Sequence, residues 1–110
     1  MIKGTTPTLH YKLPFESSII KTAEIVLEYV DANKRVLIVK GFEDCSLGEN
    51  SIEAVLTQEE TLQLPAPSIA HAQLRVVTID GTILATEAKA VSIKRLLKDD
   101  AIVLEEGEAV

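Results

Sequence analysis

The feature that most constrains the fold is an Asp-Gly pair between two long apolar segments. Ala72–Ile79 and Thr82–Ala90 are rich in β-branched residues, and Asp80-Gly81 separates them. Asp-Gly in this setting favours a two-residue type I′ turn, in which both central residues adopt a positive φ. The pattern therefore predicts a β-hairpin in which the residues directly before and after the pair lie opposite each other.

The second half of this hairpin is predicted to contain an irregularity. The two-residue turn places Val77 opposite Leu84, but it also places Leu74 opposite Glu87, which is a poor pairing for a buried position. Because the side-chain alternation changes phase after this point, we expect a bulge or register change near Glu87 to Ala90.

Four further segments are predicted to be strands from their apolar alternation or from a short apolar run: Pro7–Leu13, Thr22–Val30, Arg35–Lys40 and Ser51–Leu56. The polar connection 31–34 predicts a hairpin between the second and third of these segments. The third is apolar at every central position, which predicts a strand buried on both faces. The long polar connection 41–50 predicts a crossing from one sheet to the other.

A short helix is predicted after the strand that ends at Leu56. Thr57 is followed three residues later by Glu60, the spacing of a reciprocal capping box. Pro65 and Pro67 limit the helix to one or two turns. We therefore place it near residues 58–62.

These elements predict an all-β fold, a two-sheet antiparallel immunoglobulin-like sandwich of six to seven strands with one short helix. A small open β-barrel is the competing fold. The sandwich is expected to span residues 1–104 as one domain. Residues 105–110 are predicted to form a disordered acidic tail, because they have too little apolar surface to bury.

Composition argues against nucleic acid and membrane partners. The 11 basic residues are outnumbered by 17 acidic ones, the net charge is −6, and there are two Phe, two Tyr and no Trp. Phosphate binding needs clustered cations and stacking aromatics. No apolar run approaches the roughly 18 residues of a membrane span, and no signal-peptide core follows the first residues. We expect the product to stay in the cytosol unless it is assembled into something that is exported.

The sequence offers no constellation that predicts catalysis, a cofactor or a metal. One Cys and two His cannot supply the four good ligands of a zinc site. Cys45 has acidic neighbours, which disfavour a thiolate. The residues singled out are predicted to be structural, at a strand start, in a helix cap and in a turn: Pro7, Thr57, Glu60, Asp80 and Gly81.

Association through sheet surfaces is the remaining prediction. Mean hydropathy is positive, +0.19, despite the net charge of −6. A domain of this size can leave apolar surface outside its core. Edge strands or an apolar face would then be covered by a partner.

Several segments of the chain resemble a known group of proteins: Gly4-Thr5-Thr6-Pro7-Thr8, Leu13-Pro14-Phe15, the segment 56–62, the hairpin from Gln73 through Asp80-Gly81, and Val91-Ser92-Ile93 with Leu97-Lys98-Asp99. Over about residues 4–102 the chain resembles small prophage-encoded proteins of Gram-positive gut bacteria. It is similar in strand pattern to the N-terminal immunoglobulin-like domain of phage baseplate upper proteins, which anchors a receptor-binding assembly to the tail.

This resemblance implies a non-enzymatic phage or prophage structural protein that associates with tail or baseplate proteins, or with itself, through sheet edges. It also implies a location in the bacterial cytoplasm, with incorporation into a virion tail left open. No catalytic or ligand residues carry over from the family. Two alternatives from other classes remain open. One is a ligand-binding module for a bacterial surface glycan or peptide, and the other is a small intracellular regulatory binding protein.

Overall fold

Eight strands and one short α-helix make up the fold in the computed structural model, which describes residues 1–98 and 101–102. In chain order they are β1 (Thr8–Lys12), β2 (Ile20–Val30), β3 (Arg35–Gly41), β4 (Ser46–Gly48), β5 (Ser51–Val55), α1 (Gln58–Leu62), β6 (Ser68–Thr78), β7 (Ile83–Ala85) and β8 (Lys89–Ile93). Two 3₁₀ turns lie at Ser17–Ile19 and Phe42–Asp44. The tail predicted at 105–110 falls outside the described residues.

The strands form two antiparallel sheets that pack face to face. One is three-stranded with the order β1-β5-β4, and the other is five-stranded with the order β3-β2-β6-β7, with β8 also paired to β6. This arrangement confirms the predicted two-sheet antiparallel sandwich with a short helix. There are more strands than the six or seven predicted, because β4 lies within the connection 41–50 and the last predicted strand is divided into β7 and β8. That connection joins the two sheets, as expected.

Strand β2 shows how the alternating sequence produces the sandwich. Ala23, Ile25 and Leu27 are buried between the sheets, whereas Glu24 and Glu28 lie on the outer face. Successive side chains of a strand point to opposite faces, so one apolar row is enough to attach the strand to the core. The strand predicted at Thr22–Val30 from its alternation is thus confirmed, and it begins two residues earlier.

Two clusters of buried residues fill the space between the sheets. The first contains Leu13, Ile20, Ala23, Ile25, Ile52, Ala54, Leu74 and Val76. The second contains Leu27, Val36, Ile38, Leu56, Leu64, Ala70, Ala72 and Ile93. Both clusters take residues from both sides of the sandwich, so neither sheet could bury its apolar face without the other.

The prediction that β3 is buried on both faces is wrong. Val36 and Ile38 are buried, but the intervening Leu37 and Val39 are each 46% exposed. An apolar run does not reveal whether a second layer covers its outer face. In this two-layer sandwich, no described element packs over the outer face of the five-stranded sheet.

The hairpin between β6 and β7 exists as predicted, but its turn is one residue longer than a type I′ turn. The Thr78 N–H donates to the carbonyl oxygen of Thr82 at 2.9 Å, and the Gly81 N–H donates to the carbonyl oxygen of Thr78 at 2.9 Å. Three residues therefore form the loop, and the predicted pairing of Val77 with Leu84 is replaced by Val77 with Ile83.

Hydrogen bonds that the Asp80 side chain accepts stabilise the longer loop. Its carboxylate accepts hydrogen bonds from the Thr78 hydroxyl and from the Thr82 N–H, the latter at 3.1 Å. Gly81 has a φ of +86°, whereas Asp80 does not have a positive φ. A three-residue hairpin loop that ends in a left-handed glycine is the next most common solution after the two-residue turns.

The predicted irregularity in the following strand is confirmed. Arg75 pairs with Ala85, and Ala72 pairs with Lys89, so two residues of β6 lie opposite the three residues 86–88. One extra residue on one strand defines a β-bulge. Within it, the Thr86 hydroxyl accepts a hydrogen bond from the Leu74 N–H at 3.0 Å.

Gly81→Ala is expected to lower the free energy of unfolding by about 1–2 kcal/mol, because L-residues adopt a left-handed conformation at a cost. No heavy atom lies within 4 Å of the position that a Cβ would take, so the cost comes from the backbone alone. Gly81→Asn should lose less stability, since Asn tolerates this conformation better. Urea denaturation of both variants checks this, and equal losses would contradict the backbone explanation.

Candidate interaction surfaces

The predicted capping box is present at the start of α1. The Thr57 hydroxyl accepts a hydrogen bond from the Glu60 N–H at 3.1 Å, and the Glu60 carboxylate accepts one from the Thr57 N–H at 2.8 Å. The same carboxylate lies 2.7 Å from Lys40 Nζ, and this ion pair was not predicted. It joins the inner side of β3 to the helix.

The pKa of Glu60 reflects two opposing influences. Burial raises this pKa, but the hydrogen bonds from Lys40 and Thr57 favour the carboxylate, and together they hold the pKa below its ordinary value. The side chains of Lys40 and Glu60 are only 11% and 23% exposed. The pair is therefore shielded from solvent more than an ordinary surface salt bridge.

The other three predicted residues also occupy structural positions. Pro7 precedes β1, and its carbonyl oxygen accepts a hydrogen bond from the Leu56 N–H at 2.9 Å. Asp80 and Gly81 form the β6–β7 loop in the other sheet. The five residues thus do not converge on one site.

The side chains with the greatest chemical reactivity lie apart from one another. His10 and His71 are exposed on strands of different sheets. Burial raises the pKa of the Cys45 thiol, and the charges of Asp44 and Glu43 raise it further, which keeps the thiol protonated. No group of three or more His, Cys, Asp or Glu that could hold a metal occurs in residues 1–98 and 101–102.

A free strand edge is the first surface suited to association. Strand β3 has seven residues and pairs with β2, and no other described strand pairs with its second edge. In the β2–β3 turn the Asp31 N–H donates to the carbonyl oxygen of Lys34 at 2.8 Å, so Asp31 and Lys34 form a hydrogen-bonded pair. Because hydrogen-bonded pairs alternate along an antiparallel ladder, the N–H and C=O groups of Arg35, Leu37 and Val39 point away from β2.

The outer face beside this edge is apolar at its centre. Leu37 and Val39 are about half exposed, and Val39 pairs across the ladder with Val26, which is partly exposed. Ion pairs border this small patch, with Arg35 Nη2 2.8 Å from Glu28 and Arg75 Nη2 2.6 Å from Glu24.

The two ends of β3 carry opposite charges on the same outer face. Arg35 stands at one end, with its side chain 59% exposed. At the other end the carboxylate of Glu43 lies directly over Gly41, where an added Cβ would be 2.9 Å from Oε1. Glu43 is exposed to solvent. The edge therefore has a cation, an apolar centre and an anion in order along its length.

The opposite side of the sandwich has a shallow groove between the edges of the two sheets. The segment Lys12–Phe15 forms one wall, and Leu74, Val76 and Leu84 form the other. Leu84 faces the sandwich interior but is 41% exposed, because the three-stranded sheet does not extend over it. The groove holds about 250 Å³, less than the ~300–1,000 Å³ typical of ligand pockets.

All four aromatic side chains are partly buried and pack against the core. Tyr11, Phe15 and Phe42 pack against the first cluster, and Tyr29 packs against the second. None is fully exposed as a platform on which a sugar ring could stack.

Comparison with known proteins gives no match to a family model, to a curated protein or to a solved structure. Within the part of the chain that the structure describes, no helix has the length and apolar character needed to cross a bilayer. The physical surfaces described above, together with the sequence resemblance, are therefore what support a functional proposal.

Proposed function

We propose that this protein is a non-enzymatic structural module of a phage or prophage tail or baseplate region, and that it assembles with other protein chains through its sheet edges. The observation that carries the assembly role is the free seven-residue edge of β3, with Leu37 and Val39 each 46% exposed beside it. The assignment to a phage tail comes from the sequence resemblance.

An uncovered edge of this kind favours a partner. Unpaired N–H and C=O groups along a strand form a template for another strand, and native proteins usually blunt long apolar edges. The common devices are proline, a bulge or an inward-pointing charge. Between Arg35 and Gly41 there is no proline and no bulge, and the inward-pointing Lys40 is paired with Glu60.

A ligand-binding role has less support from the same surfaces. A glycan module would require a fully exposed aromatic side chain, which none of the four aromatic residues provides. A small regulatory binding protein would use the same sheet edge as a structural protein, so the cellular location of the chain separates these two roles.

The experiment that tests the tail assignment is particle fractionation. An epitope-tagged copy replaces the gene in the strain that carries it, the prophage is induced, and particles are purified on a density gradient. We expect the tagged chain in intact particles or tail intermediates, at a constant ratio to the tail proteins. Recovery of the chain only in soluble fractions, apart from particles and tail intermediates alike, would contradict the proposal.

A further inference from the structure

The free edge of β3 is complementary to itself when its direction is reversed. Arg35 lies at one end and the Glu43 carboxylate at the other, with Leu37 and Val39 between them on the same outer face. A second copy of the strand in antiparallel orientation would bring a cation to each anion and an apolar centre to an apolar centre. This arrangement is isologous, as in most homodimers.

The length of the strand and its hydrogen-bonding groups define one register. Full overlap of the seven residues pairs Arg35 with Gly41 of the second copy and centres the ladder on Ile38. The outward N–H and C=O groups of Leu37 then oppose those of Val39 of the second copy. These are hydrogen-bonded pairs, as the unpaired groups require.

This register is also the one that matches the charges. Gly41 has no side chain, and the Glu43 carboxylate occupies the space above it. Arg35 of the second copy, opposite Gly41, would therefore reach the carboxylate. A shift that places Leu37 opposite Leu37 moves Arg35 beside Val39 and away from the acid.

We propose that β3 pairs with β3 of a second copy in this register, joining the two five-stranded sheets into one continuous sheet. The inference rests on the proposed assembly function and identifies the partner as the chain itself. It places Leu37 and Val39 of the two copies side by side across the seam and pairs the outward backbone groups of each β3.

The other free edges are less suited to this role. Strands β4 and β7 have only three residues each. Strand β1 has five, but its outward side chains are Thr8, His10 and Lys12, which provide no apolar contact. Strand β8 also has five residues, and the N-terminal ammonium of Met1 already donates to its Ser92 carbonyl oxygen at 3.0 Å. Among the described strands, β3 is thus the longest with a free edge, and its outer face is apolar at its centre.

The register is tested by disulfide cross-linking between two single-cysteine variants, Leu37→Cys and Val39→Cys, each in a Cys45→Ser background. Opposed residues in hydrogen-bonded pairs have Cα atoms roughly 5.5 Å apart, within disulfide range. A residue and its own copy would be roughly 8–9 Å apart in this register, beyond that range. Under mild oxidation the mixture should cross-link about tenfold faster than either variant alone. Faster cross-linking of one variant with itself, or none in the mixture, would overturn the register.

The interface itself is tested with a charged substitution and a matched control. Val39→Lys places a charge at the centre of the seam and is expected to weaken dimerisation about tenfold or more, as measured by light scattering over a concentration series. Val55→Lys is the control, because Val55 is 55% exposed on the other sheet. Equal effects of the two substitutions, or a wild-type chain that is monomeric at all concentrations, would overturn the proposal.

The end contacts are tested by Glu43→Lys, with Glu49→Lys as a control of equal charge change on an exposed residue. The first substitution should weaken dimerisation about three- to tenfold at low salt and less at high salt, since exposed ion pairs are screened. Equal effects of the two substitutions would contradict the register. A chain that enters particles but fails all three tests would refute self-pairing and leave the tail role standing. A chain that passes the three tests but is absent from particles and tail intermediates would support self-pairing and refute the tail role.

Discussion

Replacing Leu27 by alanine should lower the free energy of unfolding by about 2–5 kcal/mol, which is among the largest effects expected for a single substitution in this chain. Leu27 is fully buried on β2, the strand that pairs with both β3 and β6. Truncation removes apolar contact and leaves a cavity that a strand bonded on both sides has little freedom to close.

Urea denaturation measured at low protein concentration checks this prediction, with Leu47→Ala as the matched control. Leu47 lies on β4 and is 44% exposed, so its truncation should cost less than about 1 kcal/mol. Similar losses for the two variants would mean that the sandwich core is not centred where the two buried clusters place it.

Glu60→Gln should also have a large effect on stability, and we expect it to lower the free energy of unfolding by about 1–3 kcal/mol. The substitution removes the charge that faces Lys40 Nζ at 2.7 Å and weakens the bond to the Thr57 N–H. Lys40, whose side chain is only 11% exposed, would be left without its counter-charge. The neighbouring Glu59→Gln is the control, because Glu59 is exposed in the same helical turn.

A double-mutant cycle separates the ion pair from the helix cap. Lys40→Met removes the other partner, and the double variant with Glu60→Gln should lose less stability than the sum of the two single losses. Additive losses would show that the capping bond to Thr57, and not the ion pair, accounts for the effect of Glu60.

The contribution of Glu60 should depend on pH in a definite direction. Its pKa in the folded chain is lowered by the bonds from Lys40 and Thr57, which outweigh burial. Its stabilising effect is therefore fully present above the pKa of an unfolded glutamate, about 4.3, and is lost as pH falls through the folded pKa. The stability difference between wild type and Glu60→Gln should shrink as pH is lowered from 7 toward 3; a constant difference would contradict this.

The elements that could be predicted from the sequence are those whose pattern depends on local geometry alone. The alternation in β2 and the Thr57 to Glu60 spacing each specify a backbone conformation directly. Asp80-Gly81 predicted the hairpin but not its loop length, because Asp-Gly suits both a two-residue turn and a three-residue loop with a left-handed glycine. In the structure the longer loop is accompanied by a hydrogen bond from the Thr82 N–H to Asp80, and the choice between the two loops cannot be seen in the residue types.

The candidate surface could not be predicted because it depends on sheet order. The run from Arg35 to Lys40 is equally suitable for a central strand and for an edge strand. In the structure β6 takes the other side of β2, which leaves β3 with one neighbour among the described strands. Leu37 and Val39 are exposed because no described element covers their face of the sheet. The ion pair of Lys40 with Glu60 was missed for the same reason, since it joins residues twenty positions apart across the two layers. A sequence signal for the edge was present in Arg35 before the apolar run and Glu43 three residues after Lys40.

Amide hydrogen exchange at single-residue resolution tests most directly whether β3 is an association edge. In the isolated chain the Val36 and Ile38 amides bond to β2, whereas those of Leu37 and Val39 face solvent. We expect the latter two to exchange rapidly at low protein concentration and to become protected as concentration rises, with the first two protected throughout. Rapid exchange of Leu37 and Val39 at every concentration would contradict the account.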